Sequence, residues 1–135
     1  MDDGSVYIGE FRDGVRCGHG KYTFSDGNTY DGQWANNVMH GKGHYEFISG
    51  KTYEGDFHKN KMHGYGVMTL PSGETYEGQF KNDQKDGKGK FTWADGRVYD
   101  GFWKANKQHG KGEIITRSGK KKVGKWENGK RVDLN

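Results

Sequence analysis

Six histidines, a row of carboxylates and five Gly-x-Gly pairs are the parts of this sequence with chemistry to offer. His40, His63 and His109 hold the same place in a recurring pattern, each directly before a glycine, and Cys17 and Asp86 hold that place elsewhere. A metal ion needs ligands that converge within a few ångströms. Equivalent positions in successive hairpins lie two strands apart, roughly 10 Å. The three histidines therefore read as a ladder, serving turn packing or a local hydrogen bond, and no metal is expected. His44 and His58 fall outside the pattern and read as solvated.

Acidic residues recur directly after tyrosine at Asp31, Glu54, Glu77 and Asp100. Acid–base catalysis needs two carboxylates in one pocket with contrasting environments. A periodic row on an alternating strand instead points to a solvated face that discourages aggregation. The Gly-x-Gly pairs lack the Gly-x-x-x-x-Gly-Lys-[Ser/Thr] loop, and lack Gly-x-Gly-x-x-Gly leading into a helix, that phosphate binding requires. No Ser/His/Asp or Cys/His set has a context for nucleophilic catalysis. The chain reads as a non-enzyme without a cofactor.

The basic end carries more. Arg117, Lys120, Lys121, Lys122, Lys125, Lys130 and Arg131 fall within fifteen residues. Residues 111–135 carry net charge +5, against −2 for residues 1–29 and +4 for the whole chain. Two readings stand open. Such clusters bind anionic lipid surfaces, at about 1 kcal/mol per residue near the membrane. Lysines on the last strand of a sheet also block its extension. Nucleic acid is not expected, because the overall charge is modest and the rings are engaged with glycine.

These residues are positioned by a repeat of 23 residues that dominates the chain. Tyr7, Tyr30, Tyr53, Tyr76 and Tyr99 mark it, each followed at i+2 by glycine and at i+4 by Phe11, Trp34, Phe57, Phe80 or Trp103. All 24 glycines fall on five phases, and 17 of the 19 aromatics fall on framework positions, Tyr65 and Phe102 being the exceptions. The units run 7–29, 30–52, 53–75, 76–98 and 99–121, with a half unit at 122–135 and the closing turn of a preceding unit at 1–6. Neither end reads as the polar cap that repeat arrays need. The expectation is one array over 1–135, either a piece of a larger protein or a subunit whose ends partners cover.

Tyr, Gly and Phe/Trp at i, i+2 and i+4 is strand periodicity with rings on one face. Polar turns such as Lys59-Asn60-Lys61 separate two alternating stretches per unit, so each unit is a hairpin. Glycine inside a strand needs a reason, and the close approach of a ring supplies one. Glycine density disfavours helix. The expectation is an all-β fold: a single-layer, elongated antiparallel sheet of about eleven strands, roughly 50 Å long at the usual strand spacing.

Composition agrees with a thin fold. Only 30% of residues are apolar, but 14% are aromatic, and rings bury large areas each. One cysteine, Cys17, excludes an intramolecular disulfide and suits a reducing compartment. No apolar run approaches a membrane span, and the first residues lack a signal-peptide pattern. A soluble, cytoplasmic protein is expected.

Tyr53-Glu54-Gly55-Asp56-Phe57, His63-Gly64-Tyr65-Gly66 and Ala94-Asp95-Gly96-Arg97 carry a resemblance to the MORN repeat family, over about residues 3–130. The resemblance implies a hairpin solenoid with a ring-lined groove. It also implies company: such repeats occur in cytoskeletal and ciliary scaffolds, in membrane-junction proteins, and fused to lipid kinases or other enzymes. The expected function is a non-catalytic protein-binding scaffold or adaptor. Its partner would be an extended segment or helix along the groove, meeting Tyr30, Trp34, Tyr53, Phe57, Tyr76, Phe80, Tyr99 and Trp103. The alternatives are a membrane-proximal tether reading anionic phospholipid or phosphoinositide through the basic end, a targeting or regulatory domain of a larger enzyme such as a lipid kinase, and a homo-oligomer joined through open sheet edges. The cytoskeleton, the cilium or the inner membrane surface is the expected setting.

Overall fold

The computed structural model describes residues 3–132; residues 1–2 and 133–135, the outermost parts of the opening turn and of the closing half unit, lie outside the described residues. Each full unit supplies a seven-residue and a nine-residue strand: β1 (Val6–Arg12) and β2 (Val15–Thr23), β3 (Thr29–Ala35) and β4 (Val38–Glu46), β5 (Thr52–His58) and β6 (Lys61–Thr69), β7 (Thr75–Lys81) and β8 (Gln84–Thr92), β9 (Val98–Lys104) and β10 (Lys107–Ile115). The last are β11 (Lys121–Glu127) and the two-residue β12 (Lys130–Arg131). All are antiparallel in one open sheet, ordered as in the sequence, with no helix among the described residues. The twelfth strand, one more than expected, is the short return over Trp126 and Glu127.

The tight turn joining each seven-residue strand to its nine-residue partner takes two residues of positive φ, such as Asn36 (49°) and Asn37 (70°) or Asn82 (48°) and Asp83 (70°). That is the hairpin turn whose twist matches the strands, and Asn and Asp tolerate it. Its second residue also reaches back one unit. Asn37, Asn60, Asp83 and Asn106 each accept, through Oδ1 at 2.8 Å, the backbone N–H of Arg16, Met39, Met62 and Lys85 respectively. Their own N–H groups donate to the carbonyls of the same four residues at 2.9–3.1 Å. Each turn thus continues the ladder where the preceding strand would otherwise lack a partner.

A bulge creates that lack. Gly32 faces Gly43, but Trp34 faces Met39, so β4 holds two extra residues opposite Gln33. The Gln33 amide oxygen accepts the orphaned Lys42 N–H at 2.8 Å. Glu10 does the same for His19, and Asp56 for Tyr65 at 3.2 Å.

Across the middle of the sheet runs an unbroken line of glycines. Gly9, Gly20, Gly32, Gly43, Gly55, Gly66, Gly78, Gly89, Gly101, Gly112 and Gly124 face one another strand after strand. This line is a trough one side chain deep. The framework tyrosines lie in it, and there the core forms.

Candidate functional site

Tyr30, Tyr53, Tyr76 and Tyr99 are the largest fully buried side chains. Each ring folds over a glycine of the next strand: a Cβ at Gly66 would fall 2.5 Å from Tyr53 Cζ, and one at Gly112 would fall 2.6 Å from Tyr99 Cζ. Each hydroxyl donates to the carbonyl three residues on, Tyr30 to Gln33 (2.7 Å), Tyr53 to Asp56 (2.7 Å), Tyr76 to Gln79 (2.8 Å) and Tyr99 to Phe102 (2.9 Å). Burial pushes all four phenols well above their ordinary range, Tyr99 to about 12.

Every such tyrosine meets two rings edge to face. Tyr53 touches Phe57 of its own unit and Phe80 of the next, both at 5.1 Å between centroids and nearly perpendicular (86° and 89°). The pattern extends without a gap through Phe11, Tyr7, Trp34, Tyr30, Phe57, Tyr53, Phe80, Tyr76, Trp103, Tyr99 and Trp126. Edge-to-face geometry aligns the positive ring edge with a neighbour's negative face, at about 0.5–1.5 kcal/mol per pair beyond area burial. Trp34 and Trp103 add an indole N–H bond to the carbonyls of Gly20 and Gly89, at 3.0 and 3.1 Å.

The eight residues read from the sequence as partner contacts, Tyr30, Trp34, Tyr53, Phe57, Tyr76, Phe80, Tyr99 and Trp103, all belong to this chain of rings and are 0–8% exposed. They form the packed floor. The open side belongs to a second row from the nine-residue strands and the segments just after them: Tyr22, Phe24, Tyr45, Phe91 and Trp93, half-buried against that floor, with the half-buried Phe47 packed on Tyr45. The sequence shows this row at its own fixed phase, with Tyr22, Tyr45 and Phe91 as close along the chain to a trough glycine as the first-row rings are; what separates the rows is that the framework tyrosines fold over the glycine of the next strand.

Between the rows lies a run of concavities. One of about 260 Å³ is bounded by Tyr22, Phe24 and Trp34, the next, about 350 Å³, by Phe47, Phe57 and Met62, and a third, about 380 Å³, by Met68, Leu70 and Phe91. Neighbouring concavities share walls, Met39, Tyr45 and Asn60 at one boundary and Lys51, Met62 and Asp83 at the next, so they form one continuous groove. Cations sit against its rings. The Arg16 guanidinium lies 4.9 Å from the Trp34 centroid, Lys51 Nζ 4.2 Å from Phe47, and Lys85 Nζ 5.5–5.8 Å from Tyr76, Phe91 and Trp103.

The opposite face is polar. Asp31 pairs with the His19 ring at 2.7 Å, Lys42 with Asp56 at 2.5 Å, and His44 with Glu46 at 3.2 Å. Asp31 and Glu54 flank His44 across the strands, and Glu77 and Asp100 flank Lys90, while Val67 stands between Glu54 and Glu77 and Asp100 also faces Glu113. Exposed Ile8, Tyr65, Phe102 and Val123 are scattered along this face.

His40 accepts the Lys59 N–H through Nδ1 at 3.3 Å, and Asp86 accepts that of Ala105 at 3.5 Å. His58 is exposed but lies between His40 and His63, with centroids 4.8 and 5.6 Å away. Burial first, and then His40, Lys59 and His63, lower its pKa. Among the described residues no group of three or more His, Cys, Asp or Glu is arranged to hold a metal ion.

Strand alternation divides the basic cluster. Lys122 lies on β11 with the phase of Gly124 and Trp126, on the ring face, while Lys121 and Lys125 take the opposite phase. Lys120 and Arg117 sit at the preceding turn, Lys130 and Arg131 form β12, and the Arg131 guanidinium approaches the Trp126 ring at 5.9 Å.

A family model described as the MORN repeat matches residues 7–29, 30–52, 53–75, 76–96 and 99–121. A search of curated proteins finds no match. Among solved structures, the chain is similar to the SAS-4 (dCPAP) TCP domain of Drosophila melanogaster in complex with a proline-rich motif of Ana2 (dSTIL), at 11% identity and a TM-score of 0.27, over 82% of this chain and 85% of that chain. Five consecutive family matches, seated on five successive hairpins that share one ladder of rings, make this chain a member of the MORN repeat family, whose repeats are generally non-catalytic.

Proposed function

We propose that the chain is a non-catalytic protein-binding scaffold whose ring-face groove receives an extended partner segment, within a cytoskeletal, ciliary or membrane-associated assembly in the cytoplasm. The observation that carries this reading is the continuous groove itself, walled by the half-buried rings of the second row. Grooves with an apolar floor and a few placed polar groups are where segments dock. Aromatic side chains with exposed edges are the usual anchors of such interfaces. The eight first-row residues act through the second row, by holding it in place.

The test is cross-linked affinity capture from a cell that makes the protein, using the parent chain, a groove variant (Phe47→Ser with Leu70→Ser) and an opposite-face variant (Glu54→Ser with Glu77→Ser). The groove variant should stay folded and lose the captured partner, while the opposite-face variant keeps it. Capture that survives in the folded groove variant sinks the reading.

The anionic-membrane reading draws support from the basic end, but weaker support, because Lys121 and Lys125 face away from Lys122. Replacing Lys120, Lys121, Lys122 and Lys125 by glutamate should abolish any salt-sensitive liposome binding and leave the fold intact. Undiminished binding removes the tether reading in this form.

A further inference from the structure

We propose that the groove is selective for acidic partners: a carboxylate side chain, flanked by large apolar residues, docks between Lys51 and Lys85 in the third concavity. This rests on the groove reading above and names the partner's chemistry.

Lys85 opens the argument. It occupies the position, second in the nine-residue strand, where the two preceding units place Met39 and Met62. Those methionines are 7% and 8% exposed and belong to the core. A cation thus stands where the framework accepts an apolar chain. Lys85 is half-buried, with Tyr76, Phe91 and Trp103 around its ammonium. Among the described residues, no carboxylate lies within ion-pair distance of it or of Lys51. Burial and, after it, the charge of Lys51 both hold the Lys85 pKa below its ordinary value. Even a half-buried ammonium without a counter-charge bears part of the cost of leaving water. An incoming carboxylate supplies that counter-charge and offsets the charge of Lys51.

The remaining charges near the concavity favour the same ligand. Asp83 lines it too, but its Oδ1 is committed to the Met62 N–H at 2.8 Å, so two cations face one carboxylate already bonded to the fold. Arg16, at the equivalent position in the first unit, differs from Lys85. Its Nη2 donates to the Asn37 carbonyl at 2.8 Å, which gives the guanidinium a partner within the fold. The walls around Lys51 and Lys85 include Met62, Met68, Leu70 and Phe91, which suit apolar neighbours on the incoming segment, besides the polar Asn106. An acidic segment with flanking apolar residues meets both requirements.

A random peptide library displayed on phage and panned on the full chain tests this. The parent should enrich peptides with Asp or Glu beside Leu, Phe or Trp. A synthesised enriched peptide should bind about tenfold or more weakly to Lys85→Met, the scale of a lost charged hydrogen bond. Replacing its acid by the amide should cost a similar factor on the parent and little on the variant, as a double-mutant cycle reads coupling. Lys85→Met keeps a side chain the framework already carries at Met39 and Met62, so a thermal melt near the parent's should accompany the loss. Enriched peptides without an acid, or unchanged by Lys85→Met, overturn the proposal. If they are nonetheless lost in the Phe47→Ser, Leu70→Ser variant, the groove stands and only the acidic selectivity falls. If binding survives there as well, the groove reading falls too. Phosphatidylserine vesicles that lose binding in Lys85→Met, where no acidic peptide was enriched, overturn the proposal in favour of a lipid.

Discussion

The ring of Tyr53 lies over the backbone of Gly66, close enough that a methyl group at Gly66 would fall 2.5 Å from its Cζ. The same relation joins Tyr30 to Gly43, Tyr76 to Gly89 and Tyr99 to Gly112. It explains how a chain with 30% apolar residues holds a sheet together: bare backbone is used as apolar surface.

Gly66→Ala should therefore destabilise by about 1–3 kcal/mol, the range for overpacking a tight core. Gly73 is the control. Nothing lies within 4 Å of a Cβ there, and only its φ of +96° opposes alanine. Gly73→Ala should cost about 1 kcal/mol. Urea denaturation of both variants checks the order, and equal losses would mean that the ring does not set the requirement.

Tyr53→Phe removes the donor to the Asp56 carbonyl and keeps the ring. It should cost about 1–2 kcal/mol, the penalty for orphaning a buried acceptor. Tyr53→Ala also breaks the edge-to-face chain at its middle, and should cost about 3–5 kcal/mol, as for other buried aromatics. A loss of only a few tenths for the phenylalanine variant would mean that water replaces the hydroxyl.

Asn60 clamps Met39 of the preceding unit through its side-chain oxygen and its N–H, and Asp83 does the same for Met62. Asn60→Asp should be close to neutral. Asn60→Ala should lose about 1–2 kcal/mol, combining a lost acceptor with a positive φ of 72°. Chemical melts of the two variants side by side decide this, and an equal loss in both would remove the clamp from the account.

Alkaline pH should unfold the array. Unfolded tyrosine gives up its proton near its ordinary value of 10.0, whereas burial holds Tyr99 at about 12 and Tyr30, Tyr53 and Tyr76 still higher. Between those values the folded chain binds more protons than the unfolded one, so stability falls as pH rises. It should be complete below pH 10.0, decline toward about 12 through Tyr99, and go on declining above that through the other three. Tyrosinate absorbance should appear in step with the loss of β circular dichroism. Gradual ionisation of these four residues without unfolding would show that they are not sealed.

The period, the hairpins and the match of ring to glycine could all be read from residue spacing, because each is a one-dimensional pattern in the chain. The division of labour among the rings could not. Tyr53, Phe57 and Tyr45 share one face by strand parity, and parity carries no information on depth. Depth is set across the strands: Tyr53 folds over Gly66 of the next strand, Tyr45 stays half-buried although it is equally two residues from a trough glycine, and the edge-to-face contacts then close over the buried ring. The contact from Asn60 back to Met39 was hidden for a related reason: it spans 21 residues, two short of the period, because the bulge displaces the strand. The recurrence of Asn or Asp at 37, 60, 83 and 106 was the available signal. His58 falls outside the repeat phase, and only cross-strand pairing sets it between His40 and His63.

Because every strand bonds only to its neighbours in the sequence, no strand pairing among the described residues ties one end of the sheet to the other. Under tension the array should therefore behave as a zip fastener. A load on the two termini pulls across the outermost strand pairs, whose hydrogen bonds open one after another, and each released unit pays out its slack before the next is loaded. Neighbour-only coupling makes such stepwise yielding natural. A protein spanning two anchored structures could then lengthen by whole hairpins and re-form when slackened, with the unopened part of its groove still intact.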